Sequence, residues 1–165
     1  LRFFNVFGPR QDINRKNPPL LNYLVREVVN KRRPILHSDG SQSRDYVYVD
    51  DVVNFIEICL SQKVNDTYNV CTGKLVSVKE IENYVSKAFG YEINPIYRDA
   101  SMLWNTYPQL FEGHFPLKKS IVTKETNKFS LGSNQKAKKD LNWEPNYQIE
   151  KLFIDVINQI RDNFI

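Results

Sequence analysis

The sequence predicts an α/β domain in which at least part of the sheet pairs in parallel. Two observations carry this. Short runs rich in aromatic and β-branched residues alternate with stretches whose apolar residues recur at helical spacing. The breaks between them hold turn residues, among them Gly8-Pro9, Ser38-Asp39-Gly40-Ser41 and Thr72-Gly73-Lys74. Alternation of this kind is what strands joined by helices produce. The 165 residues suffice for one domain with a real core, and there is no internal repeat, low-complexity tract or flexible linker.

Taken in order, Phe3 to Phe7 reads as a buried strand, ended by Gly8-Pro9. Arg10 to Pro19 reads as a polar loop. Leu20 to Arg33 reads as a helix, with Leu20, Leu24 and Val28 on one face and Pro34 just past its end. Ile35 to His37 is a short strand, and Arg44 to Val49 alternates as a β-rich strand. Asp50 is the expected N-cap of a helix running to about Ser61. Thr67 to Cys71 reads as a strand. Ser77-Val78-Lys79-Glu80 matches a capping box, opening a helix that Gly90 stops. Ile93 to Tyr97 reads as a strand. Ala100 to Thr126 gives no clear period, because Tyr107-Pro108 and Phe115-Pro116 interrupt it. Ser133 is the expected cap of a short helix through Leu141. Ile149 to Phe164 reads as the last helix, with Leu152, Phe153, Val156, Ile157 and Ile160 as its apolar face.

Composition narrows the function classes. No apolar run is long enough to span a bilayer, and no signal-peptide pattern is present. Cys59 and Cys71 each lie in an apolar stretch, as free buried thiols of a reducing compartment do. With His37 and His114 the only histidines, and no close Cys/His spacing, no zinc site is expected. The net charge of +4 is mild. The clusters Lys31-Arg32-Arg33 and Lys136 to Lys139 fall late in expected helices, where cations complement the dipole, so nucleic acid is not an expected partner. The chain opens at Leu1 inside an apolar run, which leads us to expect sequence upstream.

No nucleophile elbow, P-loop or Gly-rich dinucleotide fingerprint occurs, so no catalytic centre is evident from the residues alone. What remains suits an anion. Arg44 starts a strand after a polar turn; it either binds a phosphate bidentately or forms a surface ion pair of little worth. The start of the Leu20 helix offers free backbone N–H groups, as every helix start does. Asn5, inside an apolar strand, either finds nearby backbone partners or faces a ligand at the strand's C-terminal end. His37 is either a satisfied half-buried histidine or a flat ring against a nucleobase.

Four segments, in this order, resemble the extended short-chain dehydrogenase/reductases, the family of NAD-dependent nucleotide-sugar epimerases and dehydratases. Leu1 to Gln11 is similar to that family's "LRYFNVYGPRQ" segment, which follows the helix of the catalytic tyrosine. Arg44-Asp45-Tyr46-Val47-Tyr48-Val49-Asp50-Asp51-Val52 resembles "RDFVYVDDV". Tyr68 to Gly73, with Ser77 to Glu80 after it, is similar to "YNIGTG…SVKE". Lys136 to Pro145 is similar to "KAKKDLGWEP". Any one is weak; their shared order and spacing over nearly the whole chain are specific.

The resemblance implies the C-terminal part of a Rossmann-type NAD(P)-binding fold plus the smaller mixed α/β substrate-binding domain. Residues 1–165 would form one nucleotide-sugar-binding portion, with 1–8 and about 67–72 as strands of the cofactor-domain sheet. It implies a nucleotide-diphosphate sugar as partner, with Asn5 at its diphosphate-sugar region, Arg44 at its diphosphate and His37 at its base. Leu20 and Leu21 would present backbone N–H groups to the phosphates, and Arg10 would meet an anionic substrate group. Relatives carry a phosphate-binding arginine in an "RPGD"-like stretch; here Phe115-Pro116-Leu117-Lys118-Lys119 stands nearby, with Lys119 supplying the charge. The NAD fingerprint and the Tyr-x-x-x-Lys base would lie upstream of Leu1, leaving this chain without catalytic residues. Further implications are a homodimeric, cytoplasmic enzyme that oxidises a sugar carbon with NAD. A decarboxylase or reductase on the same scaffold, or a non-catalytic nucleotide-binding module, remains an alternative.

Overall fold

The computed structural model describes residues 1–15, 18–145 and 148–163, with the side chains of Leu103 and Trp104 left aside. Strands β1 (Arg2–Phe3) and β2 (Asn5–Phe7) are followed by α1 (Leu20–Val29), β3 (Ile35–Leu36), β4 (Ser43–Tyr48) and α2 (Val49–Ser61). Then come β5 (Asn69–Val70), β6 (Leu75–Ser77), α3 (Val78–Phe89) and β7 (Ile96–Tyr97). The last third holds α4 (Met102–Thr106), a 3₁₀ turn (Pro108–Leu110), α5 (Lys119–Thr126), β8 (Phe129–Ser130), α6 (Gln135–Leu141) and α7 (Ile149–Asp162). The mixed α/β class with parallel pairing is as the sequence predicts.

The opening run changes partners partway along. β1 pairs in parallel with β5, Arg2 opposite Asn69. After Phe4 the chain pairs instead with β4, Asn5 opposite Tyr46 and Phe7 opposite Tyr48. β4 also pairs antiparallel with β6 and, over Ser43 and Arg44, in parallel with β8. β3 and β7 form a separate parallel pair.

β4 separates two cores because successive side chains of a strand point to opposite faces. Tyr46 and Tyr48 pack against the larger cluster, built from α1, α3 and α7 around Phe7 and Phe153. Val47 belongs to the other, with Phe55 of α2, Val70 of β5 and Trp143. Phe7 and Phe153 stack at 4.1 Å between ring centroids, and Tyr46 meets Phe153 edge-on. Burial of Phe153 contributes about 2–3 kcal/mol. α7 reaches this core because Phe153, Val156, Ile157 and Ile160 recur at three- and four-residue spacing and are all buried.

Several boundaries differ from expectation. α1 stops at Val29, four residues before Arg33, because Lys31 takes a positive φ of 56° that a helix cannot continue. Lys31-Arg32-Arg33 therefore lies beyond the helix, and Lys136 stands at the start of α6, so only Lys138 and Lys139 meet a C-terminal turn. The N-cap of α2 is Tyr48, not Asp50, because β4 stays paired up to Tyr48; Asp50 and Asp51 occupy the first turn. α6 is capped at Asn134 rather than Ser133. The Ser77–Glu80 capping box and the left-handed Gly90 at φ 75° are both present. Both cysteines are free, Cys71 buried and Cys59 partly so. No helix of the described residues is long and apolar enough to cross a membrane. Phe164, at the expected end of the last helix, lies outside the described residues.

Candidate functional site

On the face of β4 that carries Arg44 and Tyr46, a cavity of ≈ 360 Å³ opens. Asn5, Val6 and Phe7 of β2 form one wall, and Pro19, Leu20 and Leu21 at the start of α1 another. Gln11, Gln42, Val78 and Phe153 complete it. β2 and β4 pair in parallel, Asn5 opposite Tyr46, so their residues share this wall, with Gln42 and Arg44 at the start of β4.

Two features of this wall suit an anion. Pro19 at the N-cap of α1 gives no side-chain cap, and the first turn holds no acidic residue. The first N–H groups of a helix carry partial positive charge, so an uncapped start without a carboxylate can receive a phosphate. Arg44 brings a full charge. Its Nη2 donates to the Glu125 carbonyl at 2.9 Å and to Glu125 Oε2 at 3.3 Å; its Nη1 donates to the carbonyls of Ser43, at 3.2 Å, and Lys128. Asn5 is held by its own Nδ2, which donates to the Asp45 carbonyl at 2.9 Å.

On the opposite face of β4, Asp45 is fully buried. It accepts from Thr72 N at 2.8 Å, Thr72 Oγ1 at 2.7 Å, Gly73 N at 2.9 Å and Gly132 N at 3.2 Å. One carboxylate thereby ties the turn after β5 and the segment after β8 to β4, adjacent to the arginine.

Asn5, Arg44, Leu20 and Leu21 thus meet at one cavity; His37, Arg10 and Lys119 do not line it. His37 follows β3 and is half-buried, and its Nδ1 is buried without a partner. Burial, and after it the charge of Arg98, holds its pKa below the usual histidine value, so the ring is neutral at pH 7. The adjoining Ser38 lines a separate cleft with Arg98, Asp99 and Thr123. Arg10 is exposed, at a left-handed φ of 68°. Lys119 opens α5 and is exposed. The cation that stands beside Arg44 is Lys128, which shares Glu125 with it. Its place depends on β8 pairing with β4, a contact no local sequence pattern announces. Gln11 and Gln42 were also missed; each is one polar residue in a loop. One Tyr-x-x-x-Lys spacing does occur, Tyr147 to Lys151. Tyr147 lies outside the described residues, and the pair stands far C-terminal to the segment that follows the family's tyrosine helix. Among the described residues no group of three His, Cys, Asp or Glu could hold a metal.

Two parallel strands, an uncapped helix start and an arginine around one cavity make an α/β protein with a site suited to an anion. Comparison narrows this: residues 1–156 match the GDP-mannose 4,6 dehydratase family, and the chain belongs to it, among the extended short-chain dehydrogenase/reductases that act as nucleotide-sugar epimerases and dehydratases. It is 34% identical over 97 residues to a putative UDP-glucose 4-epimerase of Methanocaldococcus jannaschii, covering 59% of this chain and 31% of that protein. The UDP-glucose 4-epimerase of Thermotoga maritima, solved with UDP-glucose, superposes with a TM-score of 0.75 at 25% identity, over 99% of this chain and 46% of that one. The UDP-glucuronic acid 4-epimerase of Bacillus cereus, solved with UDP-glucuronic acid and NAD, shares the fold, with a TM-score of 0.70 at 20% identity over 96% of this chain and 44% of that one. The chain spans about a third of the curated relative's length and just under half of each solved structure.

Proposed function

We propose that residues 1–165 form the nucleotide-sugar-binding portion of an NAD-dependent nucleotide-sugar epimerase or dehydratase. The observation that carries this is the convergence of Arg44, Asn5 and the uncapped start of α1 on one cavity. Arg44 pairs with the diphosphate, and Leu20 and Leu21 offer it backbone N–H groups. Asn5 contacts the diphosphate-sugar region. His37 lies against the base, its flat ring available for stacking. Arg10 and Lys119, away from the cavity, take part only as outlying cations for an anionic substrate group.

NAD, when bound, supplies hydride acceptance and return. This chain has no Gly-rich fingerprint to hold it, and the family resemblance puts the cofactor and the base in a part of the fold other than the one these residues form. The part of this chain is remote binding energy. Gripping the diphosphate and base fixes where the sugar sits relative to the reacting groups, and that positioning lowers the barrier. Assembly is as a homodimer in the cytoplasm, a compartment that suits the two free thiols.

The test is nucleoside-diphosphate binding by the complete protein with Arg44→Ala. A charge-assisted contact of this kind contributes about 1.5–3 kcal/mol, so affinity should fall roughly ten- to a hundredfold. Unchanged affinity by calorimetry would remove Arg44 from the diphosphate role.

A further inference from the structure

Arg44 and Asn5 line a second cavity, of ≈ 400 Å³, as well as the one described above. There, one carboxylate meets two cations. Glu125 Oε2 lies 3.3 Å from Arg44 Nη2, and Glu125 Oε1 lies 2.9 Å from Lys128 Nζ. We infer that the Glu125 carboxylate occupies an anion position between Arg44 and Lys128, and that a phosphate of the nucleotide ligand displaces it. Glu125 is then an affinity-setting residue, lowering the apparent strength of ligand binding by competing for the same donors. This rests on the assignment of Arg44 to the diphosphate.

Three facts support the exchange. The carboxylate is easily released, because its side chain is 52% exposed and water can take it up as it leaves. Arg44 does not depend on it, because carbonyls of Glu125 and Lys128 also accept from the guanidinium, whose side chain is only 19% exposed. These carbonyls lie at the C-terminal end of α5, the negative end of its dipole, and hold the arginine whether or not the carboxylate is present. Finally, carboxylate and phosphate satisfy the same N–H donors with the same charge-assisted bonds. Lys128, and after it Arg44, holds Glu125 below the usual carboxylate range, so it is charged and competing at neutral pH.

The experiment is calorimetric titration of the complete protein with UDP, GDP and dTDP, following whichever binds most tightly. Wild type, Glu125→Gln, Arg44→Ala and the double variant are compared. Gln keeps the size of the side chain and the backbone carbonyl that Arg44 uses. An exposed ion pair is worth up to about 1 kcal/mol, so Glu125→Gln should tighten binding by up to about fivefold. In the Arg44→Ala background the gain should shrink, because only the Lys128 donor is left to be freed. If Glu125→Gln binds equally or more weakly while Arg44→Ala loses affinity, displacement is wrong and the diphosphate assignment stands. If Arg44→Ala has no effect, the assignment fails and this inference fails with it. A gain from Glu125→Gln that is undiminished without Arg44 also overturns it, since the competition would then not involve the arginine.

Discussion

Arg44 and Asp45 are neighbours on β4, carry opposite charges and meet opposite fates. Asp45 is sealed: it is fully buried, and its partners are backbone N–H groups and a hydroxyl fixed by the turns that supply them. Arg44 is only partly covered; its carbonyl partners sit at the end of a helix, and its ionic partner is half exposed. Strand alternation alone sends the two side chains to different sides of the sheet. A carboxylate ringed by donors from separate segments holds a fold together, whereas an arginine with exchangeable partners on a cavity can serve a ligand.

The largest expected effect that would sharpen this contrast is on stability. Asp45→Ala leaves the N–H groups of Thr72, Gly73 and Gly132 without their common acceptor in a partly buried setting. The cost should be about 3 kcal/mol or more, read from urea unfolding of the complete protein. Arg44→Ala should cost clearly less stability while losing more ligand affinity. Equal losses of stability in the two variants would erase the distinction between a holding residue and a binding one.

Gly132 gives the next effect. A Cβ there would fall 2.5 Å from Cys71 Sγ and 2.8 Å from the Phe4 ring, so the segment that reaches Asp45 has no room for a side chain. Gly132→Ala should destabilise by about 1–3 kcal/mol, and the thermal midpoint should fall with it. An unshifted midpoint would mean that the segment can move away from Cys71, and that Asp45 does not need Gly132 to stay where it is. The same packing and the nearby Asp45 charge push the Cys71 thiol up to about 11, which leaves it unreactive at neutral pH.

How much of this was legible depended on how local each contact is. The helices α1, α2, α3 and α7 follow from apolar periodicity, and the Ser77–Glu80 box and Gly90 mark both ends of α3 in sequence. Helix ends were less legible: Lys31 turning to positive φ has no side-chain signal, and Tyr48 became a cap only because Phe7 keeps β4 paired up to it. β6 and β8 are three and two residues long and exist through their register with β4, so no window of sequence shows them. The site divides the same way. Arg44 and Asn5 stood out because a charge and an amide are conspicuous in apolar strands. Glu125 and Lys128 lie more than eighty residues from Arg44 and become its neighbours only through β8 and the end of α5.

The smallest effect tests whether the ligand side of the molecule extends from Arg44 to β3. His37 has its pKa lowered, chiefly by burial, so the unfolded chain takes up this proton at a higher pH than the folded one. The group therefore contributes stability above the ordinary histidine value of about 6.5 that is lost as pH falls towards the folded value. A base laid against the ring buries it further, and burial disfavours its charged form. Nucleotide affinity should then weaken as pH drops through the lowered value of the folded His37, and His37→Gln should flatten that dependence while leaving the effect of Arg44→Ala intact. Titration of both variants at pH 7.5 and 5.5 decides the matter. If His37→Gln keeps the full pH dependence, His37 belongs with Asp45 among residues that serve the fold.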